Sequence, residues 1–204
     1  MQRKTIAILA SGTGTTFQSI LNSSRRGDLT ADIAVLASDR KDCGAVLRAE
    51  SAVIPVLHLL TKHQEEAIRS LERIFADYSP DIAVLAGYNR ILPAEFVERH
   101  RERIINTHPA LLPCFGGKGM YGLNVHRAVI ESGAKFSGCT VHFVDTGVDT
   151  GPIIAQAIVQ VSDNDTPESL SEKVKAMEKP LLISTISRLL YDPYRIEGKR
   201  VMFT

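Results

Sequence analysis

Short apolar runs of strand length alternate with longer stretches of helical period from residue 5 to residue 132, and that alternation leaves few folds open to the chain. Residues 5–10, 32–37, 53–57, 82–86 and 104–106 read as strands. Between them, Phe17, Ile20 and Leu21 recur at i, i+3 and i+4, and residues 44–51 are of helical character. Ala67, Ile68, Leu71, Ile74, Phe75 and Tyr78 line one face of a long helix that begins near His63. Residues 93–100 suit a short helix with Pro93 in its first turn. Strands that alternate with helices in this way pair in parallel, with helices over both faces of the sheet. The loops after each strand then gather at one edge.

Beyond Ser132 the pattern changes. Residues 138–144 and 152–161 are strand runs on either side of a turn-rich segment, which predicts an antiparallel pair. Thr166-Pro167 opens a C-terminal helix whose face is Leu170, Val174, Met177 and Leu181, with Pro180 as a kink. The expected fold is α/β: a Rossmann-like, mostly parallel twisted sheet with helices on both faces and an antiparallel strand pair at the C-terminal end. Residues 1–204 are expected to form a single domain, with 191–204 as a C-terminal extension.

Composition narrows the function classes. Of 204 residues 44% are hydrophobic, which excludes a disordered chain, and a net charge of +1 speaks against a nucleic-acid binder relying on overall basicity. Cys43, Cys114 and Cys139 form neither a disulfide framework nor a CxxC metal knuckle. The apolar run after Met1-Gln2 is too short for a signal-peptide core or a membrane span. A soluble, cytoplasmic protein with small-molecule partners is therefore expected, acting as a monomer or homodimer, with no nucleic acid and no membrane.

Three loops carry candidate chemistry. Gly12, Thr13, Gly14, Thr15 and Thr16 separate the first strand from the first helix, where free amides and hydroxyls suit a phosphate. Phe17 stands where a dinucleotide fingerprint needs a small residue, and no Gly-Lys-Ser/Thr follows, so a single phosphate fits better than a dinucleotide or a nucleoside triphosphate. A plain turn with threonine caps is the simpler alternative. Asn106 and His108, two apart on a strand, share a face, and Pro109 keeps His108 extended. An amide donor beside an imidazole suits oxyanion stabilisation and proton transfer, although capping at a strand end would use the same residues. Asp145 and Asp149 lie in a glycine-containing turn. Such aspartates commonly bond their own backbone, but an Asp149 carried back to His108 would fix the ring tautomer and favour the imidazolium. His142, inside a strand, is expected to support the same site. His108, His142 and Asp149 are a conceivable metal set, but no tight ligand spacing accompanies them and no metal is expected. The glycine-rich stretch 111–122 reads either as a lid or as an irregular connection, with Cys114 a bystander. His58, His63, His100 and His126 are expected on helices or their edges, solvated or structural.

The segments SGTGTT at 11–16, LAGYNRIL at 85–92, NTHPALLP at 106–113, VHFV at 141–144 and DTGP at 149–152 occur in an order that resembles the phosphoribosylglycinamide formyltransferases of the folate-dependent formyltransferase superfamily. The resemblance spans residues 4–190. It implies transfer of a formyl group from 10-formyltetrahydrofolate, as co-substrate, to the amine of 5-phosphoribosylglycinamide in purine biosynthesis, without a metal. By the same resemblance Asn106, His108 and Asp149 are the catalytic set. Gly12, Thr13, Gly14, Thr15 and Thr16 are the phosphate cradle, and Lys175 and Glu178 are further ribonucleotide contacts. Folate contacts fall on Gln64, Asn89, Arg90, Ile91 and Leu92, on Asn106, and on Asp145, Thr146, Gly147, Val148 and Asp149.

Four features depart from the family pattern. Thr15-Thr16 replaces Ser-Asn, and Gln64 replaces an arginine near the folate tail. Glu178 is followed by Lys-Pro-Leu-Leu rather than His-x-x-Tyr-Pro, and the 116–122 loop is longer than in short-loop members. A formyltransferase acting on an amino sugar nucleotide, a formyltetrahydrofolate hydrolase and a non-catalytic phosphometabolite-binding module are the competing readings. The extra domains of methionyl-tRNA formyltransferases and of most such hydrolases are not expected in this chain.

Overall fold

The computed structural model describes residues 3–60 and 62–204, so Met1-Gln2, ahead of the first apolar run, lie outside the described residues. The chain divides into two compact units, Met1–Ile105 and Asn106–Thr204.

In the first unit β1 (Lys4–Leu9), β2 (Ala31–Ser38), β3 (Val56–His58) and β4 (Ile82–Leu85) pair in parallel in the order β3-β2-β1-β4. The strands are short and apolar because both faces are covered: Ile6, Ile8, Val35, Leu36 and Val84 are all fully buried. Helices α1 (Thr15–Arg26), α2 (Gly44–Ser51), α3 (Gln64–Tyr78) and α4 (Ala94–Arg99) follow the strands in turn, burying Phe17, Ile20, Ile74 and Phe96. Helix α3 carries Glu65 and Glu66 in its first turn, complementing the helix dipole, and Ser79 ends it in a left-handed conformation. Strand order reverses direction at β1, which has β2 on one side and β4 on the other. The loops after β1 and β4 therefore meet at a topological switch point, where ligands of open α/β sheets bind.

The strand expected at 53–57 is confined to Val56–His58. Val53 N donates to Glu50 O and Ile54 N to Ala49 O, so these two apolar residues close the end of α2 instead of extending the strand. Val53 accordingly adopts φ 60° and lies exposed. His58 lies on that strand, not on a helix.

Strand β5 (Ile104–His108) passes from one unit into the other. The second unit holds α5 (Leu123–Glu131), β6 (Phe136–Phe143), β7 (Ile153–Gln160), α6 (Pro167–Tyr191), β8 (Tyr194–Glu197) and β9 (Arg200–Phe203). β6 and β7 are antiparallel as expected. Residues 191–204 close the unit with a β8–β9 hairpin, whose second strand pairs in parallel with β7 at Ile153 and Arg200. Helix α6 opens with a reciprocal cap: Thr166 Oγ1 accepts from Ser169 N, and Ser169 Oγ accepts from Thr166 N. Its buried face is Leu170, Val174, Leu182, Thr185, Ile186 and Leu189, and it continues through Pro180 as one helix. Met177, expected on that face, is 40% exposed, and its neighbour Glu178 is half-buried instead. Val129, Cys139, Val159, Leu170 and Val174 form the core beneath it.

Candidate active site

In the first unit, Gly14 caps α1 with φ 75°, and a Cβ there would meet Ala45 Cα at 2.6 Å. Only glycine lets the turn pack this closely against α2 while entering the left-handed region. The turn is tied down from α2, since Ala45 N donates to Gly12 O and Arg48 Nε donates to Thr13 O at 3.0 Å. The first-turn amides of α1, those of Thr15, Thr16 and Phe17, have no acceptor within the helix. With the exposed hydroxyls of Thr13 and Thr15 they are donors of the kind an anion can accept from.

The loop after β4 is fastened to the same turn. Ser11 N donates to Gly87 O, and Asn89 N donates to Ser11 Oγ at 3.1 Å. Ser11 Oγ in turn donates to Asp39 Oδ1 at 2.6 Å, and Arg90 Nε donates to Asp39 Oδ2 at 2.7 Å. Burial pushes the Asp39 carboxyl up, but the Ser11 and Arg90 hydrogen bonds outweigh it and hold the group below the ordinary value. Asn89, Arg90 and Ile91 are exposed and Leu92 is buried. Gln64 is exposed at the start of α3, with no hydrogen bond to the turn among the described residues.

In the second unit, Asn106, His108, His142 and Asp149 come together. Asp149 Oδ2 lies 3.3 Å from His108 Nδ1, and Asp149 Oδ1 lies 3.7 Å from His142 Nε2. His108 Nε2 sits 2.8 Å from Phe115 O. Both ring nitrogens of His108 thus face oxygen acceptors. His142 differs. Its Nδ1 donates to Phe143 O at 2.8 Å, leaving Nε2 to accept from Asn106 Nδ2 at 3.3 Å. That pattern belongs to a neutral ring, and burial, the largest influence on His142, lowers its pKa accordingly.

Local backbone brings these groups in. The β6–β7 register shifts between Val141 and His142, where Ile154 of β7 is passed over, and such an irregularity in the ladder alters the local twist beside His142. At Gly151 a Cβ would lie 1.8 Å from Phe143 O, so only glycine permits the turn to close there. Asp149 itself has φ 57°, a conformation few non-glycine residues adopt.

The 111–122 loop supplies contacts that no side-chain pattern announces, the Phe115 carbonyl to His108 and the Gly117 amide, which donates to Asp149 Oδ2 at 3.0 Å. Thr107, between the two catalytic candidates, points the other way and donates to Glu178 Oε1 at 3.2 Å. Burial raises the Glu178 pKa. Lys175 pairs with Glu172 at 2.8 Å. His126 is buried on α5 with its Nδ1 unpartnered among the described residues, and burial, then Lys175 and His108, lower its pKa. Among the described residues no group of three or more His, Cys, Asp or Glu is arranged to hold a metal ion.

Residues 4–186 match the sequence profile of the family described as formyl transferase. The chain belongs to the formyl transferase family. It is 42% identical over 193 residues to the chloroplastic phosphoribosylglycinamide formyltransferase of Arabidopsis thaliana, covering 92% of this chain and 66% of that relative. It is 37% identical over 197 residues to the phosphoribosylglycinamide formyltransferase of Mycobacterium tuberculosis, covering 95% and 88% of the two chains. The chain thus spans a little under two thirds of the length of the plant formyl transferase and most of the bacterial one. The crystal structure of glycinamide ribonucleotide transformylase 1 from Symbiobacterium toebii superposes with a TM-score of 0.90 at 36% identity, covering 100% of this chain and 95% of that one. The formyl transferase fold is therefore α/β and mostly parallel, with antiparallel strand pairs at the C-terminal end. No helix among the described residues is long and apolar enough to cross a membrane.

Proposed function

We propose that this chain transfers the formyl group of 10-formyltetrahydrofolate to the amine of 5-phosphoribosylglycinamide in de novo purine biosynthesis. The observation that carries the reading is the convergence of Asn106, His108 and Asp149, with Asp149 Oδ2 3.3 Å from His108 Nδ1. The relatives in Arabidopsis and Mycobacterium are phosphoribosylglycinamide formyltransferases and the Symbiobacterium neighbour is a glycinamide ribonucleotide transformylase, which supports the reading.

Attack of a neutral amine on a formyl carbon places negative charge on the formyl oxygen. The Asn106 amide, held by His142, keeps a second N–H for that oxygen, and a doubly protonated His108 offers another donor. One such donor is worth roughly 10²–10³ in rate. The attacking nitrogen loses a proton and the departing folate nitrogen gains one, and His108 with Asp149 is the pair suited to move it. His108 Nε2 rests on the Phe115 carbonyl, so that carbonyl gives way when the ring turns to substrate.

In this reading the turn from Gly12 to Thr16 takes the ribonucleotide phosphate, with Lys175 and Glu178 as further contacts. Gln64, Asn89, Arg90, Ile91 and Leu92 and the 145–149 turn take the folate. The three cysteines are free, which suits a reducing cytoplasm, and the working unit is a monomer or homodimer.

The test follows absorbance as a 10-formyl folate analogue is deformylated, with and without 5-phosphoribosylglycinamide. Turnover that requires the ribonucleotide is expected. Release independent of it would make the chain a hydrolase. No turnover by the folded protein would send the search to amino sugar nucleotides.

A further inference from the structure

Asp149 reaches His108 from a left-handed backbone, φ 57°, so the turn around it has to be held in place by its neighbours. Asp145 is the hub of that turn: its Oδ1 accepts from Gly147 N at 3.1 Å and from Thr150 Oγ1 at 2.6 Å. Its Oδ2 accepts from Lys199 Nζ at 3.1 Å, and the same ammonium donates to Thr150 O. Lys199 also uses its backbone, whose carbonyl accepts from Ile153 N at 3.2 Å. One residue therefore grips the turn on both sides of Asp149, at 145 and 150 through its side chain and at 153 through its main chain.

Lys199 belongs to the β8–β9 hairpin, beyond residues 4–186 that match the family profile. Gly198, with φ 60°, makes the reversal that presents it. The pairing of Ile153 with Arg200 fixes the hairpin against the strand that leaves the turn.

We propose that Lys199 is a positioning residue, whose ammonium holds the 145–150 turn so that Asp149 stays against His108. The inference rests on the reading of Asp149 as a carboxylate of the reacting site. An exposed ion pair adds little to stability, so the consequence falls on geometry and hence on turnover. A misplacement of ~1 Å at a reacting group costs about a hundredfold in rate, and loosening one tether moves the turn by less.

The experiment compares the full chain with K199M, which keeps the length of the side chain without its charge, and with K199R, which keeps the charge. In K199M kcat falls about five- to tenfold while the ribonucleotide KM and the melting temperature stay near those of the unaltered chain. K199R recovers most of the loss. Added salt lowers kcat of the unaltered chain toward that of K199M and leaves K199M unmoved, because the contact is exposed. Hydrogen exchange at residues 146–150 quickens in K199M and not in K199R, a readout that needs no turnover. Unchanged kcat in K199M, a kcat loss without faster exchange, faster exchange without a kcat loss, or a K199R no better than K199M would each overturn the proposal. If the unaltered chain turns over no ribonucleotide, the transferase reading fails separately, and exchange alone decides whether Lys199 holds the turn.

Discussion

The Asp149 carboxylate lies 3.3 Å from Nδ1 of His108, and the same oxygen, Oδ2, accepts the Gly117 amide at 3.0 Å. One oxygen thus joins the catalytic candidate on β5 to the glycine-rich loop. Asp149→Asn keeps the shape and removes the charge that orients the imidazole. We expect kcat to fall by about 10²–10⁴, the range of a lost acid–base partner, with ribonucleotide affinity changed little. Steady-state kinetics together with calorimetric titration of the ribonucleotide test this, and an unaltered kcat removes Asp149 from the mechanism.

Gly14→Ala tests the phosphate cradle. The new methyl meets Ala45 Cα at 2.6 Å in a left-handed backbone, so the turn has to move. Ribonucleotide affinity is expected to weaken about tenfold or more, equivalent to ~1.4 kcal/mol. Gly27→Ala is the control: φ there is 84° and nothing lies within 4 Å of the added methyl, so it reports backbone strain without displacement of the turn. Equal ribonucleotide affinity in the two variants would rule out the cradle.

Glu178 is held above its ordinary pKa by burial, and it accepts a hydrogen bond from Thr107. A raised folded value means that stability is fully present below the unfolded value of 4.5 and is lost as pH rises through the folded one. Glu178→Gln is therefore expected to be more stable than the unaltered chain at pH 8, by a margin that shrinks toward pH 5. Urea midpoints across that range decide it. A margin independent of pH would show that burial of the charge is not what the substitution relieves.

His126 and His142 titrate in the opposite sense. Both are lowered from 6.5, burial being the first cause, so their contribution is present above that value and lost as pH falls through the folded values. Relative to His126→Leu, the unaltered chain should lose stability on acidification from pH 7 to pH 5. A constant difference between the two over that interval would mean that His126 does not titrate as a buried ring.

The alternation of strands and helices and the Gly12–Gly14 turn are written in local chemistry: apolar period, glycine spacing and a proline behind His108. The misplaced strand at 53–57 shows where local reading stops. Val53 and Ile54 are as apolar as strand residues, yet their amides close α2, a choice made by backbone hydrogen bonds. Met177 shows the same limit on α6, where it lies exposed while Glu178, a residue no apolar period selects, is half-buried.

By itself the sequence determined which residue types stand at the strand ends: an amide and an imidazole two apart on β5, and a carboxylate in a turn after β6. Tertiary structure alone decided their pairing. The Phe115 carbonyl and Gly117 amide are backbone groups that any residue carries, so only the path of the loop brings them to His108 and Asp149. The irregularity opposite His142, where Ile154 of β7 is passed over, is a matter of register. Lys199 is 50 residues beyond Asp149 in the chain, and its ammonium joins the turn because the β8–β9 hairpin pairs with β7.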